Sequence, residues 1–253
     1  MLLEPQPTRY DLNFDLFGTP VRVHPWFWIF TAILGWSAID NDNPLLHLFV
    51  WIVAVFLSIL LHEFGHIWMG KLFRSDGYIV LYSFGGLAIG SADVRYRWQR
   101  ILVSLAGPAI QLVLWLALYG ILYLGGAPWL GRQSDLMLFL YEQLWYINLF
   151  WPLLNLLPVW PLDGGQVCRE VCSIFVPRDG QRVSLMVSVG VAGLLAINGF
   201  MGANGRGFLP YVPTGRYTAF LFAILAVESW MLLQQSNRPW RYESADDRMP
   251  WER

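Results

Sequence analysis

Charge is scarce in this chain. Of its 253 residues only 14% are Asp, Glu, Lys or Arg, against about 25% in an ordinary soluble domain. The 17 basic and 18 acidic residues nearly cancel, to a net charge of −1. The basic residues are spread along the chain instead of forming a patch, which argues against a nucleic-acid partner. Cysteine is almost missing as well. Cys168 and Cys172 are the only two, too few for a disulfide framework. They read as reduced thiols on a helix near the cytosolic face, with no further ligands nearby to make a second metal site. A secretory signal is also lacking. Residues 1–25 carry Glu4, Arg9, Asp11, Asp15 and Arg22 and no apolar core segment, so the first membrane helix is expected to direct insertion.

Apolar residues make up 56% of the chain, with 14 Trp among them. Long apolar runs identify an α-helical polytopic membrane protein. Six spans are expected, at about 26–39, 45–73, 101–124, 136–157, 183–201 and 217–233, in one membrane-embedded domain over 1–253 with a short polar tail at 234–253. Residues 74–100 are too polar to span. There, Tyr78–Tyr82 and Leu87–Ile89 read as a small membrane-associated β-hairpin around Ser83-Phe84-Gly85-Gly86. That hairpin either covers the helix ends or offers an edge strand to an extended substrate, and the two roles are compatible. Upstream, Phe17-Gly18-Thr19-Pro20 reads as a turn and Val21–His24 as a short strand. If the N-terminus is cytosolic, all of the 17 Lys and Arg except Arg132, Arg206 and Arg216 fall on the cytosolic side. That bias expects both termini inside.

The second span carries His62-Glu63-Phe64-Gly65-His66. On a helix, His62 and His66 lie one turn apart on one face, the spacing of a two-histidine metal site with Glu63 as a candidate base. Ionisable groups inside a membrane helix are costly and mark function. A catalytic zinc site takes a third protein ligand. Met69 and Leu72 stand where the extended histidine motif needs Gly and His. The next Glu after Glu63 is Glu142, too distant for the other common arrangement. Asp76 and Asp93 sit in the polar connector. Asp163 follows Asn155-Leu156-Leu157-Pro158-Val159-Trp160-Pro161-Leu162 and precedes Gly164-Gly165. A continuous helix is not expected through these prolines and glycines. Irregular backbone at membrane depth persists where it is buried in protein or lines a wet cavity. The charge-based topology places this stretch at the same cytosolic end as His62, so Asp163 is the best third ligand.

Together, His62-Glu63-Phe64-Gly65-His66 and Asn155-Leu156-Leu157-Pro158…Leu162-Asp163-Gly164 resemble the site-2 proteases, the intramembrane zinc metalloproteases of peptidase family M50. Ser104-Leu105-Ala106-Gly107-Pro108 and Phe84-Gly85-Gly86 are similar too. The likeness covers roughly residues 20–175, and Gln111 stands where relatives often carry Asn. The resemblance implies one Zn2+ per chain held by His62, His66 and Asp163. It implies Glu63 as general base, Asn155 as a hydrogen-bond donor to the substrate carbonyl or developing oxyanion, and Phe84, Gly85 and Gly86 as substrate-binding. The implied activity is that of a metalloendopeptidase cutting a transmembrane protein substrate within the lipid bilayer, near its cytosolic side. The expected setting is a prokaryotic cytoplasmic membrane. Connectors and tail are too short for inserted PDZ or CBS domains, so a compact type is expected, regulated by a membrane partner or by substrate presentation. The competing readings are a metal-ion transporter and a catalytically inactive zinc-binding scaffold.

Overall fold

The structure is a computed structural model, and it describes residues 4–36, 43–83, 85–126, 134–203, 205–209 and 215–236. Phe84, Arg132 and the tail from residue 237 lie outside the described residues.

Two short stretches of alternating polarity open the fold. Leu12, Phe14 and Leu16 alternate with Asn13 and Asp15, and Val21 and Val23 flank Arg22, the period-two pattern of strands. They form β1 (Leu12–Leu16) and β2 (Thr19–Val23), an antiparallel hairpin. Its two-residue turn places Phe17 at φ 51° and Gly18 at φ 67°, the left-handed pair that a hairpin of this length favours. The sequence pattern expected one strand here. Thr19 and Pro20, read as turn, already pair with Leu16 and Asp15. Strand β2 then runs parallel to β3 (Tyr78–Tyr82), which pairs antiparallel with β4 (Gly85–Ile89). The hairpin expected between spans two and three is thus half of a four-stranded sheet ordered β1-β2-β3-β4.

Helix α1 (Pro25–Trp36) and helix α2 (Pro44–Leu72) both start on proline, whose missing N–H costs nothing at a helix start. The buried side chains of α2 begin at Ala54 and run to Gly70, so its C-terminal half is the one enclosed by protein. Phe27, Ile59, Phe64 and Ile67 pack there with Val21, Val23, Ile79 and Leu81 of the sheet. The helix stops just past the motif. Arg74 takes a left-handed φ of 64°. The Ser75 N–H donates to the Gly70 carbonyl at 3.0 Å and the Arg74 N–H to that of Lys71 at 3.0 Å, the paired bonds of a Schellman end. Lys71 Nζ reaches back to the Thr19 hydroxyl at 2.8 Å, and Phe17 packs on Phe64 and Trp68. The turn of the β1–β2 hairpin is therefore fastened to the motif helix.

Helices α3 (Arg97–Ile121), continued by a π-helical turn over Leu122–Gly126, and α4 (Asp135–Asn155) follow. Then come α5 (Asp163–Phe175), α6 (Gly180–Gly202) and α7 (Arg216–Ser236). Among the described residues, four helices are long and apolar enough to cross a membrane: α2, α3 with its extension, α6 and α7. The other two expected spans are helical too. Helix α1 is only 12 residues long, and α4 carries Asp135, Glu142, Gln143, Asn148 and Asn155 among its 21 residues.

Two compact units divide the chain. The first comprises residues 1–157 and 161–170 and contains the sheet, α1–α4 and the start of α5. The second comprises 158–160 and 171–253. Within it, α6 and α7 pack together, the Trp160 N–H donates to the Ser188 hydroxyl at 3.0 Å, and Asn198 Oδ1 accepts from the Phe208 and Leu209 N–H groups at 2.9 Å each.

Candidate metal centre

The site lies wholly in the first unit. Helical spacing puts His62 and His66 on the face of α2 that meets α3. Each ring is fixed by its Nδ1. His66 Nδ1 is 2.7 Å from the Val103 carbonyl, an acceptor only, so that nitrogen carries the proton. His62 Nδ1 is 2.8 Å from Gln111 Oε1. The Gln111 amide is oriented by its Nε2, which donates to the Ser58 carbonyl at 3.1 Å. His62 Nδ1 therefore also donates. Both Nε2 atoms of the neutral rings are left as lone pairs facing inward.

Asp163 meets them. Helix α4 ends at Asn155, residues 156–162 run without helix or strand, and Asp163 opens α5. A carboxylate in a first helical turn is favoured by the helix dipole. The break expected from the sequence thus spans 156–162, while Gly164 and Gly165, expected to help make it, are helical and buried. Asp163 Oδ2 is 3.0 Å from His62 Nε2 and Oδ1 is 3.4 Å from His66 Nε2, and the two Nε2 atoms are 3.1 Å apart. All three residues are buried.

This donor set fits a cation. Three lone-pair atoms converge with no proton among them in the neutral-imidazole state, an arrangement that repels itself unless positive charge sits between. Tetrahedral coordination with ligands at about 2.0–2.2 Å spaces them about 3.3–3.6 Å apart, close to the separations observed. Gly107 keeps the space clear: a methyl group on it would collide with the His66 ring and come within 2.9 Å of His62 Nε2.

Glu63, next to His62 on α2, is 5% exposed and turns toward β4 instead of α3. The Ala88 backbone lies on the side its carboxylate faces. The strand lies so close that any side chain on Gly86 would strike that carboxylate. Gly85 stands beside Trp151. The structure does not bring Asn155 into the hydrogen-bonded cluster: its Nδ2 donates to the Trp151 carbonyl one turn back, at 3.1 Å. Phe84 falls outside the described residues. His24, considered as a ligand from sequence, is buried, accepts from the Trp26 N–H at 3.2 Å and packs on Tyr82.

Sequence reasoning left Gln111 without a role and did not single out Val103, Ser58 or Asn148. Asn148 donates to the Ser58 hydroxyl at 2.9 Å, extending the polar chain from His62 across three helices. The available signal was a buried stripe on α3 in which Val103, Gly107 and Gln111 recur at helical period.

Comparison with known proteins places these residues in context. The family model described as Peptidase family M50 matches residues 131–197, a stretch that holds Asn155 and Asp163. A protein of Synechocystis sp. named putative zinc metalloprotease sll0528 is 29% identical over 249 residues, covering 93% of this chain and 61% of the relative. Zinc metalloprotease MJ0392 of Methanocaldococcus jannaschii is 28% identical over 167 residues, covering 63% of this chain and 44% of that protein. Stage IV sporulation protein FB of Bacillus subtilis is 27% identical over 173 residues, 67% of this chain and 54% of the relative. The chain therefore spans less than two thirds of the length of each of these three. Among solved structures, the site-2 protease from Methanocaldococcus jannaschii shares the fold, with a TM-score of 0.55 at 21% identity over 91% of this chain and 96% of that one.

Proposed function

We propose that the chain is a zinc-dependent intramembrane endopeptidase of the site-2 protease family, peptidase family M50, as its similarity to that family model and to zinc metalloproteases supports. The observation that carries the reading is the convergence of the His62, His66 and Asp163 lone pairs, with both histidines and Glu63 inside an apolar helix.

His62 and His66 through Nε2, and Asp163 through its carboxylate, hold one zinc ion. When bound, zinc supplies Lewis acidity, lowering the pKa of a water to about 7 and polarising a carbonyl oxygen. Glu63 is the proton carrier. Its carboxylate takes the proton of the attacking water and returns it to the departing amine. The close, bare Gly86 backbone confines that carboxylate. Asn155 spends one Nδ2–H on Trp151, and its second Nδ2–H is the donor for the substrate carbonyl as negative charge develops there.

Among the described strands β4 is the end of the sheet and pairs with β3 alone. It is suited to adding an extended substrate segment along Gly85 and Gly86, with Phe84 assigned from sequence. A helical transmembrane substrate must unwind to be read this way. At 1.5 Å per residue His62 lies about 27 Å along α2 from Pro44, near the end marked by Lys71. With both termini in the cytosol, cleavage falls in the cytosolic third of the substrate's membrane segment. Peptidase chemistry is carried by the first unit, within one membrane-embedded peptidase domain.

The test compares cells expressing wild type and Glu63→Gln. The variant is expected to keep its zinc and to lose the membrane-protein fragments that wild type produces, with new termini mapped by mass spectrometry to the cytosolic third of transmembrane segments. Identical fragment patterns in the two strains sink the protease reading. Zinc flux into vesicles that Glu63→Gln abolishes, without any cleavage, favours a transporter.

A further inference from the structure

The His62 and His66 rings sit in mid-helix, but Asp163 does not have that support. It follows seven residues without helix or strand, 156–162, that include Pro158 and Pro161. Its position also depends on α5, the helix it opens. Close packing of α5 is at its first turn, where Gly164 abuts the Leu156 and Leu157 backbone, and beyond Gly165 no residue of α5 is buried. Charge ties its second turn to α3. Glu170, two helical turns after Asp163, receives Arg100 as a fork, Nε at 2.9 Å and Nη2 at 3.2 Å. Arg97 adds a third contact at 3.3 Å. Arg100 is itself braced by donating Nη1 to the Val94 carbonyl at 3.1 Å. The Glu170 side chain is 13% exposed and that of Arg100 31%. The planar fork is the geometry that makes an Arg–carboxylate pair directional.

Arg100 stands on the same stripe of α3 as Val103, Gly107 and Gln111. That stripe fixes the His66 ring, clears the space and fixes the His62 ring, and its first member holds the helix bearing the third ligand. We propose that Arg100 and Glu170, assisted by Arg97, are positioning residues that set the Asp163 carboxylate against the two imidazoles. The lever is short. Seven residues of helix place Asp163 about 10 Å from Glu170, so a tilt of about 6° moves the carboxylate by about 1 Å. Metal–ligand distances tolerate only about 0.2 Å.

The proposal rests on the reading that His62, His66 and Asp163 hold zinc. Its test is zinc affinity of the purified full chain, measured by competition with a chromophoric chelator. The set is wild type, Glu170→Arg, Arg100→Glu and the doubly reversed variant, with far-UV circular dichroism and gel filtration in detergent as folding controls. Each single reversal is expected to weaken zinc at least tenfold with helix content unchanged. The double reversal should recover most of the loss. In activity assays the single variants should lose kcat at saturating zinc, with KM little changed, because the substrate strand does not touch this pair. Folded single reversals that bind zinc as wild type does overturn the proposal, as does a double variant no better than the singles. Should the single variants not fold, Glu170→Gln replaces them, with a smaller loss of zinc affinity expected and unchanged affinity again decisive against the pair. Wild type that binds no stoichiometric zinc instead refutes the metal-site reading on which the proposal stands.

Discussion

Replacing Gln111 with Leu removes the acceptor that fixes the His62 ring while keeping a side chain of similar length in a fully buried position. Gln111 is 0% exposed, so no solvent replaces the lost group. The His62 Nδ1–H, now 2.8 Å from Gln111 Oε1, is left buried without a partner, which costs about 1–3 kcal/mol. The Ser58 carbonyl loses its contact with Gln111 Nε2 as well. The ring can escape by rotating, but that turns Nε2 away from Asp163. At about 1.4 kcal/mol per tenfold, zinc affinity should fall roughly five- to 150-fold, in line with the 10- to 100-fold typical of groups that orient a metal-bound histidine. Chelator competition on purified protein measures it directly. Gln111→Glu restores an acceptor at the same reach and should bind zinc more tightly than Gln111→Leu. If Gln111→Leu binds zinc as wild type does, the assignment of the His62 proton to Nδ1 through Gln111 is wrong, and with it the argument for two inward lone pairs.

Three further outcomes follow from the same geometry. Gly107→Ala places a methyl group against the His66 ring and should abolish stoichiometric zinc, which metal analysis would show; full occupancy would mean the α2–α3 approach is looser than described. Gly86→Ala strikes the Glu63 carboxylate instead of the ligands, so activity should drop sharply while zinc stays, and loss of both together would count against the separation of base and metal. Away from the membrane, burial tends to raise the Asp11 carboxyl, but hydrogen bonds from Thr8 and Arg22 outweigh it and hold it below the usual carboxylate range. Such a group stabilises the fold above its unfolded pKa of about 3.9 and loses that contribution as pH falls through its lower folded value. Asp11→Asn should therefore lower Tm at pH 7, with the gap to wild type closing below about pH 4.

The parts legible in the sequence are those whose information is local. Residues at i and i+4 in an apolar run announce His62 and His66. The prolines at 158 and 161 announce a break before Asp163. The glycines misled in detail, since Gly164 and Gly165 are helical. Strand β1 was missed because five residues of alternation are a weak signal, and the parallel β2–β3 pairing joins segments that no local pattern connects. The same holds for the support around the site. Gln111, the Val103 carbonyl and the Arg100–Glu170 pair act across helix contacts, and a sequence displays residues without displaying their neighbours. Asn155 was assigned from family likeness, and its observed bond runs to the Trp151 carbonyl, so its place in the reaction is a matter for the Asn155→Ala variant.

The central claim is that His62, His66 and Asp163 form one zinc site. Metal analysis of purified wild type, His66→Ala, Asp163→Ala and Glu63→Gln, each checked for helix content, addresses it most directly. The account expects one zinc per chain in wild type and in Glu63→Gln, and loss of zinc in His66→Ala and Asp163→Ala. Full zinc in a folded Asp163→Ala, or none in wild type, would contradict it.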